Sequence, residues 1–161
     1  MHLDIKQILA DYGSLFSRLA GSYESNPALR QELTQEIALH VWQSLSRFRE
    51  ESQLKTYVLK IAHNRCVQHV ASESKRSKVM ITDIPEQCEV AIKDNSEAQL
   101  MVDTMLTEIR KLPIKQRQVI TLHLEGMQYN EISEICGIST SNVGAMINRI
   151  RKHLSEVLDH G

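Results

Sequence analysis

The chain has 161 residues, 42% of them hydrophobic and 24% charged, so it can bury a core, and wholesale disorder or a collagen-like composition is excluded. Aromatic residues make up only 4%, and six glycines and three prolines leave little of the turn and strand chemistry of a sheet-rich protein. The formal charge of -1 argues against a uniformly basic nucleic-acid coat. We therefore predict an all-α chain of one or two small domains.

The cysteine pattern indicates a reducing compartment, and the hydropathy predicts no membrane span. Cys66, Cys88 and Cys136 are an odd number at wide spacing, which supports neither a disulfide framework nor a zinc ribbon. No apolar run approaches the roughly 18 to 20 residues of a membrane span, and the first residues lack the pattern of a secretory leader. We expect a cytoplasmic protein without membrane insertion.

The N-terminal part predicts a three-helix bundle over residues 1–72. Apolar residues recur at three- and four-residue steps up to Leu19, which predicts a first helix that stops at Gly21. Asn26 as a cap and Pro27 in the first turn predict the start of a second helix with an apolar stripe at four-residue steps. A third helix is expected over residues 54–71.

A linker and a second helical domain are predicted to follow. Over residues 73–96 the periodicity fades and polar residues surround Pro85, which predicts a flexible, acidic linker. Ser96 with Gln99 forms a capping-box pattern that opens a domain over residues 97–161. Breaks at Leu112-Pro113 and at Glu125-Gly126 divide this domain into four helices.

The near-neutral total charge hides two segments of opposite sign. Residues 47–78 carry eight basic and three acidic residues, whereas residues 79–99 carry one basic and five acidic residues. The basic segment is a candidate phosphate-binding patch. The acidic segment is either a solvated tether or a nucleic-acid mimic, and both interpretations stay open.

Residues 128–154 have the spacing of a helix-turn-helix. Gly137 lies at the tight turn, where a positive φ is needed, and Ser139 is placed to cap the second helix. Side chains on the outer face of that helix can reach base edges or phosphates. These candidate DNA-binding residues are Ser139, Thr140, Ser141, Asn142, Ala145, Asn148, Arg149, Arg151 and Lys152. The alternative is an ordinary helical hairpin with a solvated basic end.

Residues 112–154 closely resemble the C-terminal domain, region 4, of bacterial sigma factors of the extracytoplasmic-function group in the sigma-70 family. The matching positions are Leu112-Pro113, Gln116-Arg117, Glu125-Gly126, Tyr129, Glu131-Ile132, Gly137-Ile138-Ser139, Asn142-Val143 and Arg149-Ile150-Arg151. The resemblance implies recognition of the -35 promoter element by this domain, and contact with the flap of the polymerase's second-largest subunit.

An independent match lies in residues 32–70, which resemble region 2 of the same family. It is carried by Glu32-Leu33-Thr34-Gln35-Glu36, Trp42, Phe48-Arg49 and Ile61-Ala62-His63-Asn64. The resemblance implies that Glu32, Leu33, Gln35, Glu36 and Trp42 bind the clamp helices of the largest subunit of core RNA polymerase. It also implies recognition and melting of the -10 element by Arg47, Arg49, Lys55, Tyr57, Lys60, His63, Asn64 and Arg65.

Neither catalysis nor a cofactor is predicted. His63, Cys66 and His69 lie at three-residue steps on one helix, which spreads them over about 120°, so we favour DNA-facing or partly buried roles over a shared metal ion. The chain has no Ser/His/Asp arrangement and no phosphate-binding glycine loop.

The sequence therefore predicts a sigma factor that binds core RNA polymerase and directs promoter-specific transcription initiation, with an anti-sigma factor implied by the family. Two other functions fit part of the pattern. One is a helix-turn-helix regulator that acts without joining polymerase. The other is an interaction adaptor that has lost DNA binding, which the absence of basic side chains at Gly144 and Met146 favours.

Overall fold

The computed structural model describes residues 4–49, 53–79 and 96–160, and it describes side chains within these ranges except at 76–79 and 160. The described chain is all-α, as predicted. It comprises α1 (Ile5–Tyr23), α2 (Pro27–Ser44), a 3₁₀ turn (Leu45–Arg47), α3 (Leu54–Val79), α4 (Glu97–Lys111), α5 (Ile114–Leu124), α6 (Tyr129–Cys136) and α7 (Thr140–His160). None of these helices is long and apolar enough to cross a membrane.

Helices α1, α2 and α3 pack into the predicted N-terminal bundle. The start of α2 follows the prediction, because the Asn26 side chain accepts hydrogen bonds from the backbone N–H groups of Ala28 and Leu29 at 2.9 and 3.2 Å. Pro27 occupies the first turn, where its missing N–H costs no helical hydrogen bond. The bundle core is apolar and fully buried, and its largest members are Phe16, Ile8, Leu19, Leu33, Ile37 and Leu59.

Two predicted helix ends are wrong. Helix α1 does not stop at Gly21 but continues to Tyr23, and Gly21 is a buried helical residue against the Arg30 guanidinium. A Cβ at position 21 would lie 2.7 Å from Arg30 Nη2, so the glycine permits close packing instead of ending the helix. Helix α3 continues to Val79, well past residue 71, because Glu, Lys and Arg in this stretch favour helix.

The C-terminal unit contains α4 to α7. At the start of α4, Ser96 Oγ accepts from the Gln99 N–H at 3.2 Å, but the Gln99 side chain donates to Asp103, so only half of the predicted capping box forms. Gly126 follows α5 with a φ of 84°, which a side chain resists. Most of the acidic segment 79–99 lies outside the described residues.

The two units pack against each other at the C-terminal end of α1. Apolar residues of both units belong to one continuous buried cluster. Arg110 Nε donates a 2.8 Å hydrogen bond to the Gly21 carbonyl, and the Arg117 guanidinium lies 5.3 Å from the centre of the Tyr23 ring. A helix C-terminus carries partial negative charge, so these two cations stabilise the contact.

Candidate nucleic-acid interface

A cavity of about 390 Å³ lies beside the N-terminal half of α3. Residues of the N-terminal unit form most of its wall, and two residues of α6 complete it. The lining residues are Arg47, Phe48, Arg49, Thr56, Tyr57, Lys60, Ile61 and Asn64, with Glu134 and Ile135 from α6. We call this cavity the basic pocket.

The basic pocket combines cations with an aromatic pair. The rings of Phe48 and Tyr57 meet edge to face, with centroids 4.9 Å apart and planes at 78°. Tyr57 is held in place because its hydroxyl donates a 2.7 Å hydrogen bond to the Ser44 carbonyl. Arg49 and Lys60 are exposed to solvent. Exposed guanidinium and ammonium groups bind phosphates, and aromatic faces stack on unpaired bases, so the pocket is suited to single-stranded nucleic acid.

Five of the eight residues predicted to contact the -10 element line this pocket, namely Arg47, Arg49, Tyr57, Lys60 and Asn64. The structure does not bring the other three to it. Lys55 donates from Nζ to the backbone carbonyl of Glu125 at 3.0 Å, so its ammonium binds the C-terminal unit.

His63 is not a DNA-contacting residue, contrary to the prediction. Its ring is completely buried, and Nδ1 lies 3.1 Å from the Tyr23 hydroxyl. Burial lowers the pKa of His63 to about 3, so the imidazole is neutral at physiological pH. A neutral ring inside the core cannot bind a phosphate, so His63 is not a DNA-binding residue.

Arg65 is engaged with α2 instead of lining the pocket. Its Nη2 lies 2.6 Å from Glu36 Oε2, and its Nη1 donates to Gln68 at 2.9 Å. Both side chains of the ion pair are partly exposed, so solvent screens the interaction. The pair joins α3 to α2 and connects a predicted DNA-binding residue, Arg65, to a predicted polymerase-binding residue, Glu36.

The exposed face of α2 contains the predicted polymerase-binding residues, with one exception. Glu32 and Gln35 are exposed, and Trp42 exposes 41% of its surface. Leu33 is 1% exposed and belongs to the core, so it supports the helix and cannot contact a partner directly. Sequence reasoning missed Leu39, which is 43% exposed beside Trp42. The sequence could have identified Leu39 as exposed, because it is an apolar residue that lies off the four-residue stripe of core residues on α2.

The helix-turn-helix forms as predicted from α6, a tight turn and α7. Gly137 adopts the left-handed conformation with a φ of 69°, and Ser139 Oγ accepts from the Asn142 N–H at 3.1 Å to cap α7. Ile132, Val143 and Ile147 are fully buried between the helices. All nine predicted DNA-contacting residues, Ser139, Thr140, Ser141, Asn142, Ala145, Asn148, Arg149, Arg151 and Lys152, are exposed.

The described residues contain no group of three or more His, Cys, Asp and Glu side chains that could hold a metal ion. His69 pairs with Glu24 at 2.8 Å, whereas Cys66 is buried in the core, where desolvation raises the pKa of its thiol to about 12. His63, Cys66 and His69 therefore serve the packing of α3 against its neighbours.

Comparison with known proteins places both regions in one family. The family model of sigma-70 region 2 matches residues 8–76, and that of sigma-70 region 4 matches residues 103–154, which together span about three quarters of the chain. The RNA polymerase sigma-H factor of Pseudomonas aeruginosa is 27% identical over 139 residues, or 80% of this chain and 72% of that protein. The extracytoplasmic-function (ECF) sigma factor SigC of Mycobacterium tuberculosis is 26% identical over 136 residues, or 83% of this chain and 72% of SigC.

A solved structure shows the same fold. The sigma factor RpoE of Bartonella quintana, crystallised in complex with the anti-sigma factor NepR, superposes with a TM-score of 0.77 at 21% identity, covering 96% of both chains. The chain thus contains two regions of one family within an all-α fold. The chain belongs to the sigma-70 family as an ECF sigma factor, which binds core RNA polymerase and directs promoter-specific transcription initiation.

Proposed function

We propose that the two units divide promoter recognition, the basic pocket binding the single-stranded -10 element and the exposed face of α7 binding the -35 duplex. The observation that carries this proposal is the pocket itself, where Arg49 and Lys60 flank the Phe48–Tyr57 pair. Unstacking a base costs a few kcal/mol, and a pocket with aromatic and cationic walls offsets that cost.

The helix-turn-helix supplies the complementary duplex-binding surface. Ser139, Asn142 and Asn148 present short polar groups that fit base edges in a major groove. Arg149, Arg151 and Lys152 follow along α7 toward its C-terminal half, where they reach phosphates. The division gives domain boundaries of 1–72, 73–96 and 97–161 as units of function, with α3 extending into the linker.

Polymerase docking uses two apolar surfaces of this chain. On α2, the exposed apolar side chains of Leu39 and Trp42 follow the exposed polar residues Glu32 and Gln35 along one face. This face suits the clamp helices of the largest subunit. In the C-terminal unit, Met101 and Leu124 are more than half exposed and line a cavity of about 490 Å³, which suits the flap of the second-largest subunit. Apolar side chains with a polar rim are typical of protein interfaces.

We further infer that this chain acts in the cytoplasm, performs no catalysis of its own and is held by an anti-sigma factor. RpoE, its structural neighbour, was solved with NepR bound. Polymerase supplies the chemistry of transcription, so the chain's own residues need only bind and position DNA.

Reconstitution with core polymerase tests the proposal. We expect the wild-type chain to co-elute with core enzyme and to support run-off transcription from a defined set of promoters. DNA binding without co-elution would favour the helix-turn-helix regulator, and neither activity would favour the adaptor. Trp42→Ala should weaken co-elution without unfolding the chain, whereas Gln7→Ala on the exposed face of α1 serves as its matched control.

A further inference from the structure

A second cavity, of about 590 Å³, lies between the two units, and we call it the inter-unit cavity. Helix α1 and the start of α2 form one side of its wall, and α4 and α5 form the other. The apolar residues of this wall are Leu19, Val102, Met105, Leu106 and Leu124. Ligand pockets in proteins have volumes of about 300–1,000 Å³, so the space is large enough for a small molecule.

Two arginines of the N-terminal unit bring positive charge to this wall. Arg18 is neutralised, because its Nε and Nη2 donate to the two carboxylate oxygens of Glu125 at 2.9 Å each. Arg30 is partly buried, and its guanidinium has no ion pair and no hydrogen-bond acceptor among the residues that the structure describes. The wall therefore carries one positive charge that its carboxylate does not balance.

The backbone of α1 places the Arg30 guanidinium at the cavity. A Cβ at Gly21 would lie 2.7 Å from Nη2 and 2.8 Å from Cζ of Arg30, so the guanidinium occupies space that a side chain would fill. Glycine inside a helix is unfavourable relative to alanine. Gly21 therefore gives up helix propensity and leaves room for an unpaired cation against α1.

Arg110 adds to the positive potential beside Arg30. Burial and then the positive charge of Arg30 lower the pKa of Arg110, whereas Glu24 and Asp103 raise it. Neither carboxylate forms an ion pair with Arg30, since Glu24 pairs with His69 and Asp103 accepts from Gln99 in the described structure. An anion beside Arg30 would reduce the repulsion between the two guanidinium groups.

We propose that the inter-unit cavity binds a small amphiphile with one carboxylate head and an aliphatic body, such as a medium-chain fatty acid. The head pairs with Arg30, because a guanidinium donates two parallel hydrogen bonds to a carboxylate. The body covers Val102 and Leu124, which are 44% and 53% exposed, and the burial of apolar surface favours binding. A singly charged head fits best, since Glu125 in the wall would repel a doubly charged phosphate.

The proposal does not rest on the proposed function. Among the described residues, the inter-unit cavity shares none with the basic pocket and includes none of α7. Ligand binding can therefore be measured on the free, full-length chain without DNA or polymerase.

Equilibrium dialysis with radiolabelled decanoate tests the site. We expect one saturable site per chain with a Kd of about 10–100 μM, given the usual contribution of each ligand atom. Decylammonium keeps the aliphatic body and reverses the charge, whereas acetate keeps the head and lacks the body. Each of these two ligands should bind at least about tenfold more weakly than decanoate.

Two variants test the role of the guanidinium. Arg30→Gln removes the charge and should weaken decanoate binding about tenfold. Lys6→Gln removes the same charge from an exposed residue of α1 and is the matched control. Gly21→Ala displaces only the flexible end of Arg30, so it should weaken decanoate binding while urea unfolding shows unchanged or higher stability.

A third variant tests the apolar wall. Val102→Gln places a polar amide against the ligand body and should weaken decanoate binding about threefold. Leu100→Gln makes a similar change at an exposed residue of α4 outside the wall, and should bind decanoate as the wild type does.

Three results would overturn the proposal. The first is the absence of saturable decanoate binding up to about 1 mM. The second is equal affinity for decanoate and decylammonium, which would identify a non-specific apolar surface. The third is an unchanged decanoate affinity in both Arg30→Gln and Gly21→Ala, which would place the carboxylate elsewhere on the chain.

Discussion

The two surfaces that we propose contact DNA are built in opposite ways. The basic pocket is concave, with cations and an aromatic pair around about 390 Å³ of space, and α6 borders it. The face of α7 is convex and exposed, with short polar groups at its N-terminal end and cations further along. An unstacked base needs an enclosing surface, whereas a duplex needs a helix that fits its groove, so each shape matches one state of the promoter.

The two surfaces also depend on different kinds of interaction. The pocket relies on contacts between separate segments, such as Tyr57 with Ser44 and Thr56 with Glu131. The helix-turn-helix relies on local geometry, namely the left-handed Gly137 and the Ser139 cap. Substitutions should therefore act on the pocket through tertiary structure and on α7 through helix formation.

Replacing Tyr57 by alanine should have the largest effect on initiation. The change removes a stacking face from the pocket and the hydroxyl that anchors α3 to Ser44. Aromatic stacking on a base contributes about 1–3 kcal/mol, so we expect roughly a 30-fold loss of open complexes, measured by permanganate footprinting of holoenzyme on promoter DNA. Tyr57→Phe keeps the ring and should retain most of the activity. Equal losses in both variants would show that only the hydroxyl matters.

The buried His63 should make the N-terminal unit sensitive to acid. Its pKa is near 6.5 in the unfolded chain and about 3 in the folded protein, so between these values only the unfolded chain binds the proton. The free energy of unfolding should then fall as pH falls below about 6.5, by about 2 kcal/mol at pH 5. Urea unfolding at a series of pH values measures this slope.

His63→Gln should reduce that slope, because glutamine does not titrate, whatever the variant's stability at neutral pH. His40→Gln, at an exposed position on α2, is the matched control for the chemical change. An unaltered slope in His63→Gln would assign the acid sensitivity to another group.

Removing Arg149 and Arg151 should change the salt dependence of duplex binding. Both side chains are exposed on α7, and each lost phosphate contact lowers the slope of log K against log salt by about 0.9. When salt is raised from 50 to 200 mM, the duplex affinity of the double alanine variant should therefore fall about tenfold less than that of the wild type. Fluorescence anisotropy with a -35 duplex measures it, and single-strand binding should be unaffected. A parallel loss for the strand would mean that α7 contacts both elements.

Local signals in the sequence were sufficient for the helix-turn-helix. Gly137 and Ser139 encode a turn and a cap within three residues, and the structure has both where predicted. The Asn26–Pro27 start of α2 is another local signal that was correct. Such features are predictable because the residues that interact are close in sequence.

The pocket needed information that a sequence pattern does not contain. His63 has a basic neighbourhood in sequence, yet its side chain points to Tyr23 of α1, forty residues away. The contact of α6 with Thr56 joins residues 75 positions apart, so no local pattern announces it.

Gly144→Ala should stabilise α7. Gly144 lies within α7 and lowers its helix propensity by about 1 kcal/mol relative to alanine. A Cβ there would lie 3.5 Å from a ring carbon of Tyr129, an ordinary van der Waals distance, so alanine fits without rearrangement. We expect the free energy of unfolding, measured with urea, to rise by about 0.5–1 kcal/mol, with duplex binding unchanged.

Gly137→Ala provides the opposite case for the same chemical change. Position 137 also has space for a Cβ, but its φ of 69° strains any side chain, and alanine there should destabilise the chain by about 1 kcal/mol. Both positions have room for a Cβ but differ in backbone conformation, so opposite signs of the change in unfolding free energy would show that local geometry governs this surface. Destabilisation by both would mean that packing against Tyr129 controls α7, and the recognition helix would then depend on tertiary contacts as the pocket does.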